Sequence, residues 1–167
     1  MKNLHIDEVD TIVIDFDGVL TDNSVYLNDS GQEWVKCSRA DGLAFDALRK
    51  LNKTVFILSS ETNKVVSYRA KKLRVKVIQS IDNKLDAVGL ITNQGSISLD
   101  RILYIGNDLN DLNIMKLCGY TACPSDSHPS IKNISNFVLK SRGGEGVVRE
   151  IVEDVLCLDI LEVLYSN

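Results

Sequence analysis

The chain lacks the residues that several enzyme classes require. Only two histidines, His5 and His128, occur among its 167 residues, too few for a zinc hydrolase built on paired imidazoles. No GxSxG segment occurs, which removes the common serine hydrolases. The four cysteines, Cys37, Cys118, Cys123 and Cys157, form no CxxC pair. Each falls in or beside an apolar pattern, so reduced core thiols are expected rather than a disulfide frame. There are two prolines, Pro124 and Pro129, and no Pro-rich linker, repeat or low-complexity tract. No apolar run approaches the roughly 18 residues that span a membrane, and the first ten residues, MKNLHIDEVD, are polar and acidic. A cytoplasmic protein is expected. The formal charge is -4, and no basic stripe with interleaved aromatics points to nucleic acid.

What is present reads as a globular domain. Hydrophobic residues make up 44% and charged residues 25%, which suits one domain over residues 1–167. Short β-rich runs are predicted at Thr11–Asp15, Thr54–Ser59, Val75–Gln79, Ile102–Gly106, Tyr120–Cys123 and Phe137–Lys140. Segments of helical period lie between them. The alternation predicts an α/β fold, a doubly wound, mostly parallel sheet with helices on both faces. One stretch departs from it: residues 22–37 read as a β-hairpin flap inserted after the first strand. The last stretch, about 141–167, opens on Arg142-Gly143-Gly144-Glu145-Gly146 and continues as an apolar stripe of Val147, Val148, Ile151, Val152, Val155 and Leu156. It fits a loop and helix start as well as a tail that contacts ligand or a neighbouring subunit.

The segment IVIDFDGVLTD, 12–22, places two carboxylates one residue apart at the end of an apolar strand. Like charges about 4 Å apart at an effective dielectric near 20 repel by roughly 4 kcal/mol, so a cation belongs there. In a parallel sheet, Asp15 and Asp17 converge at one edge with Ser59 and Ser60, with Lys84, and with Asn107, Asp108 and Asp111 of IGNDLNDL. Oxygen donors of this kind suit Mg²⁺ better than a soft metal.

The order DxDG, Ser, Lys, then GNDxND resembles the haloacid dehalogenase superfamily of phosphotransferases. The resemblance implies Asp15 as a nucleophile that forms an aspartyl-phosphate. It implies Asp17 as the acid that protonates the leaving oxygen and then activates water. Ser59 would hold a phosphoryl oxygen, and Lys84 would neutralise charge on the phosphate and on Asp15. The metal ligands would be Asp15 and Asp17, with Asn107 or Asp108. The superfamily usually has an acid where this chain has Asn107. Asp111 would orient that shell from behind.

There is no room for a cap domain. The chain resembles the capless branch that includes the KDO 8-phosphate phosphatases and the KDN or N-acylneuraminate 9-phosphate phosphatases. The residues carrying that likeness are DFDGVLTD, Lys36 to Gly42, Leu58 to Glu61, the Arg69 to Leu73 helix, GNDLND and RGGEGVVRE. The branch implies a homotetramer in which a neighbouring subunit closes the site. It implies Ser60, Glu61, Lys72 and Arg142 as substrate contacts, with Glu61 and Lys72 favouring a nine-carbon keto sugar acid. Two rivals stand beside this reading. A receiver domain would need its accepting aspartate on a central strand that here ends in Ser59. A non-catalytic oligomerisation module draws support from Asn107 alone.

Overall fold

The computed structural model describes residues 4–93 and 97–166. Met1–Asn3, part of the polar N-terminal reading, and Asn167 at the tail's end lie outside them. The elements in chain order are β1 (Thr11–Asp15), β2 (Tyr26–Leu27), β3 (Glu33–Trp34), α1 (Asp41–Lys50), β4 (Thr54–Leu58), α2 (Lys64–Leu73) and β5 (Lys76–Ile78). Then come α3 (Ala87–Thr92), β6 (Ile102–Ile105), α4 (Leu112–Met115), β7 (Tyr120–Cys123), α5 (Pro129–Ile134), β8 (Phe137–Val138), α6 (Val147–Glu150) and α7 (Ile160–Tyr165). Six strands form one sheet in the order β5-β4-β1-β6-β7-β8, and β2 pairs with β3 in a separate two-stranded sheet. Every pairing in the large sheet is parallel. The chain winds outward from β1 to β5, then returns to the other side of β1 with β6, so the switch point lies between β1 and β6.

The central strands β1, β4, β6 and β7 are buried on both faces, which is why they read as continuous apolar runs. Period two then sorts their side chains. Ile12, Ile14, Val55, Ile57, Leu103 and Ile105 join one core with α1, α2 and α6. Val13, Phe56, Leu58 and Tyr104 join a second with α3, α4 and α5. The doubly wound architecture and the hairpin stand as expected, with no separate cap domain among the described residues.

The tail differs from one of its two expectations. Val147, Val148, Ile151, Val152, Val155 and Leu156 are all buried within this chain, none above 6% exposed. The apolar stripe is therefore spent on the core beside α1 rather than left for a neighbouring subunit. α6 makes no side-chain cap of its own, because Gly146 stands at its N-cap in a left-handed conformation. Asp41, at the start of α1, supplies the cap: its Oδ1 accepts hydrogen bonds from the Val148 and Arg149 amides at 2.9 and 3.1 Å.

The glycine-rich loop before α6 braces the turn that follows β1. Gly144 N–H donates to Val19 C=O at 3.0 Å. A Cβ built on Gly143 would lie 2.3 Å from the Gly18 carbonyl oxygen. Asp126 holds the loop from the other side, accepting from Gly143 N–H at 3.0 Å and pairing with Arg142 Nε at 3.4 Å. Gly143→Ala is therefore expected to destabilise the fold by about 1–3 kcal/mol through overpacking. Gly89→Ala, at an exposed α3 position where nothing lies within 4 Å of the added Cβ, should instead stabilise by about 0.5–1 kcal/mol. Urea denaturation midpoints of the two variants check the opposite signs.

Candidate active site

β1 ends in Asp15, whose extended backbone leads out of the sheet. The chain then makes one wide turn, closed by Thr21 N–H donating to Phe16 C=O at 3.1 Å. Gly18 reverses direction inside it with φ +79°, and a Cβ there would meet the Asn107 amide nitrogen at 1.9 Å. Glycine is required on both counts. The turn is thus pressed against the loop after β6, across the switch point.

One buried ammonium ties these loops together. Lys84, on the turn before α3, is 2% exposed and reaches Asp15 Oδ1 and Asp111 Oδ1 at 2.7 Å each. Asp15 Oδ1 also accepts from the Phe16 amide at 2.7 Å. Asp111 accepts from Tyr104 O–H at 2.8 Å on Oδ1, and from the Asn107 and Asp108 amides at 2.9 and 3.3 Å on Oδ2. Asp111 is fully buried and accepts four hydrogen bonds, so it holds Lys84 and the β6 loop without reaching solvent.

Above this layer opens a cavity of about 380 Å³, lined by Asp15, Asp17, Glu61 and Asp108 with Ser60 and Asn107. Among the described residues no lysine or arginine lines it. Burial pushes the Asp15 carboxyl well above the usual carboxylate range, and Asp111 adds to the shift against the pull of Lys84. Burial, then the charges of Glu61 and Glu33, push Asp17 up to about 6. Burial works against the charge of Lys84, yet Asp15 and Asp111 outweigh it and hold its pKa above the usual value. Both aspartates sit where positive charge is in short supply, and a cation in the cavity would lower both.

The donor set fits a hard divalent cation. Asn107 is 7% exposed, and its side-chain amide makes no hydrogen bond with any described residue, leaving its carbonyl oxygen free. Asp108 Oδ1 accepts from the Leu109 amide at 2.7 Å, and its side chain also caps the turn at the Asp111 amide. Among the described residues no three carboxylate, imidazole or thiol groups stand close enough to hold a metal alone. Neutral oxygens and waters must complete the shell, as Mg²⁺ prefers.

Most of the site residues expected from the sequence meet here, and three stand elsewhere. Ser59 is 1% exposed, and its Oγ accepts from the Glu61 amide at 3.1 Å; the cavity wall is its neighbour, Ser60. Lys72 lies in the last turn of α2, roughly 12 Å of helix axis beyond its start at 1.5 Å per residue. There it lines a separate cavity of about 310 Å³ with Arg39 and Arg69. Arg142 is 67% exposed and paired with Asp126, outside the cavity lining. Three contributors were missed. Asn23, at φ +61°, lines the cavity, as does Asn110. Tyr104 is a buried strand residue whose hydroxyl serves Asp111. Asn110 stands inside the GNDxND motif, whereas Asn23 and Tyr104 carry no motif signal.

Residues 28–151 match the family described as haloacid dehalogenase-like hydrolase. The chain belongs to that family. Among its curated relatives is 3-deoxy-D-manno-octulosonate 8-phosphate phosphatase KdsC of Salmonella typhi, 30% identical over 146 residues, covering 87% of this chain and 78% of the relative. A HAD family hydrolase of Streptomyces avermitilis is similar in structure, with TM-score 0.91 and 36% identity over 95% of this chain and 91% of that one. The 3-deoxy-D-manno-octulosonate 8-phosphate phosphatase of Moraxella catarrhalis, solved with magnesium, phosphate and KDO, has TM-score 0.85 and 29% identity, covering 95% of this chain and 88% of that one.

In this hydrolase fold the buried Lys84 is the strut of the site. Lys84→Met removes the cation shared by two buried carboxylates, and breaking such a pair costs about 3–5 kcal/mol. The urea midpoint should fall accordingly, and adding Asp111→Asn should recover part of the loss. An unchanged midpoint for Lys84→Met would show that the ammonium holds nothing together.

Proposed function

We propose that the protein is a Mg²⁺-dependent phosphatase that hydrolyses the phosphate monoester of a keto sugar acid through an aspartyl-phosphate. The observation that carries this reading is an acid-lined cavity with no cation in its wall, beside a strand-end aspartate with one oxygen held and one free. A phosphate dianion cannot enter such a cavity against four carboxylates unless positive charge accompanies it. Bound Mg²⁺ supplies that charge and withdraws electrons from the phosphoryl group. Asp15, Asp17 and either Asn107 or Asp108 would hold it.

The chain's own groups do the rest. The Phe16 amide and Lys84 fix Asp15 Oδ1, so Oδ2 is the oxygen free to attack phosphorus in line. Asp17, two residues on in the same turn, gives a proton to the leaving alcohol and takes one from the water that resolves the intermediate. The Ser59–Ser60 turn holds a phosphoryl oxygen, with Ser60 at the cavity and Ser59 fixing the turn. Asp111 positions Lys84. Glu61 reads hydroxyls of the sugar.

The nature of the sugar acid follows from residue types. KDO 8-phosphate is the substrate named for the similar phosphatases. Glu61 accepts hydrogen bonds where an arginine would pair with a carboxylate, which favours KDN or N-acylneuraminate 9-phosphate. Lys72 and Arg142 lie outside the chain's own cavity, so they serve the sugar only across an interface. A homotetramer provides one. The flap exposes Val25, Tyr26, Leu27 and Trp34 at 52, 56, 67 and 60%, an apolar surface suited to a second copy. Light scattering should give a tetramer, and Leu27→Glu with Trp34→Glu should yield smaller species; a fully active wild-type monomer contradicts the assembly.

The chemistry has its own test. Turnover of an aryl phosphate should require Mg²⁺, vanish in excess EDTA and vanish in Asp15→Asn. Asp17→Asn should cost an alkyl phosphate far more than an aryl phosphate, whose leaving group barely needs a proton. Undiminished turnover in EDTA or in Asp15→Asn would refute the reading, and equal losses on both esters would refute Asp17 as the acid.

A further inference from the structure

A second cavity of about 180 Å³ adjoins the first and shares Asp17, Asn23 and Glu61 with it. It lies between the flap and the start of α2, where a leaving group would extend away from the phosphate. Its charged wall is acidic: Glu33 from β3 joins Asp17 and Glu61, Asn23 and Asn63 add neutral amides, and valines such as Val35 and Val65 supply the rest. Among the described residues no lysine or arginine lines this cavity either.

Glu33 is held in place. Asn63 Nδ2 donates to Glu33 Oε2 at 2.6 Å. Asn63 is itself fixed, because its Oδ1 accepts from the Val65 amide at 3.1 Å as the N-cap of α2. This link also fastens the flap to the helix. A carboxylate accepts about four hydrogen bonds in all, and Asn63 uses one, so Glu33 has capacity for a ligand. Both carboxylates beyond Asp17 can only accept while ionised. The groups they recognise are therefore donors.

We propose that Glu33 is a specificity-determining residue of the phosphatase reading above. It accepts hydrogen bonds from hydroxyls on the carbons next to the phosphate ester. The site thus selects polyhydroxy alkyl phosphates and rejects esters that carry a carboxylate within two or three carbons of the phosphate. A keto sugar acid phosphorylated at its far end meets both conditions, since its hydroxylated tail enters the acidic cavity while its carboxylate lies at the other end of the carbon chain.

Glycerol 3-phosphate and 3-phosphoglycerate form a matched pair that differs by a terminal CH₂OH or COO⁻. Wild-type protein in Mg²⁺ should favour glycerol 3-phosphate in kcat/KM by about tenfold or more, the scale of hydrogen bonds to charged groups. Glu33→Gln keeps an oxygen for Asn63 and removes the charge; it should shrink that ratio, chiefly by improving 3-phosphoglycerate. Glu33→Ala should cost glycerol 3-phosphate about tenfold more than it costs an aryl phosphate. A ratio untouched by Glu33→Gln, or equal losses on alkyl and aryl esters in Glu33→Ala, overturns the role of Glu33 and leaves the phosphatase reading standing. Wild-type protein that turns over no aryl phosphate in Mg²⁺ overturns both.

Discussion

The site depends on one ammonium group between two buried carboxylates. Lys84 joins the end of β1, through Asp15, to the loop after β6, through Asp111. Desolvating three ionised groups is unfavourable, and only close pairing with hydrogen bonds to every remaining oxygen offsets it. Asp111 meets that condition fully, because Tyr104 and two backbone amides complete its shell. Asp15 meets it on one side only. Its other oxygen faces an acid-lined cavity, and the charge that Lys84 spends on Asp111 is unavailable there. The same constraint that locks the loops together leaves the cavity short of positive charge, which is the condition for binding a divalent cation and a phosphate together.

The surrounding loops are tied in a ring about this strut. The Asn107 backbone carbonyl accepts from the His128 amide at 2.9 Å. The loop 124–128 holds Arg142 and Gly143 through Asp126, and Gly144 donates back to Val19 in the turn after Asp15. Asn107 presses against Gly18 to close the circuit. Positioning of Asp15 therefore reaches into the C-terminal segment, where Asp41 caps α6. The flap stands outside this ring, fastened to α2 by Glu33 and Asn63. The ring of loops thus carries a separate element, the flap, beside a second cavity.

Much of this was legible in the sequence for a physical reason. Parallel strands buried on both faces must be continuous apolar runs, so β1, β4, β6 and β7 could be read directly, and their ends fixed where Asp15, Asn107 and Asp108 converge. What periodicity conveys is that a face is buried, and it is silent on the partner. The stripe from Val147 to Leu156 therefore suited a subunit contact as well as the chain's own α1, and the fold uses it internally. Sequence matching is equally blind to distance along a helix, so Lys72 and Glu61 read as one substrate set although α2 separates them. Ser59 and Ser60 alternate across the strand end, and only coordinates decide which faces the cavity. Glu33 and Asn63 left no trace, being one residue of a two-residue strand and one helix cap, and they meet only when the flap folds back.

On the proposed reading, Asp15 presents one free oxygen to a phosphoryl group accompanied by Mg²⁺. A crystal structure grown with Mg²⁺ and beryllium fluoride, which mimics a phosphoryl group bonded to a carboxylate, tests it most directly. The expected result is a fluoroberyllate on Asp15 Oδ2, with Lys84 still on Oδ1 and the metal held by Asp15, Asp17 and Asn107 or Asp108. Fluoroberyllate on any other residue, or an Asp15 left bare beside an occupied metal site, would contradict it.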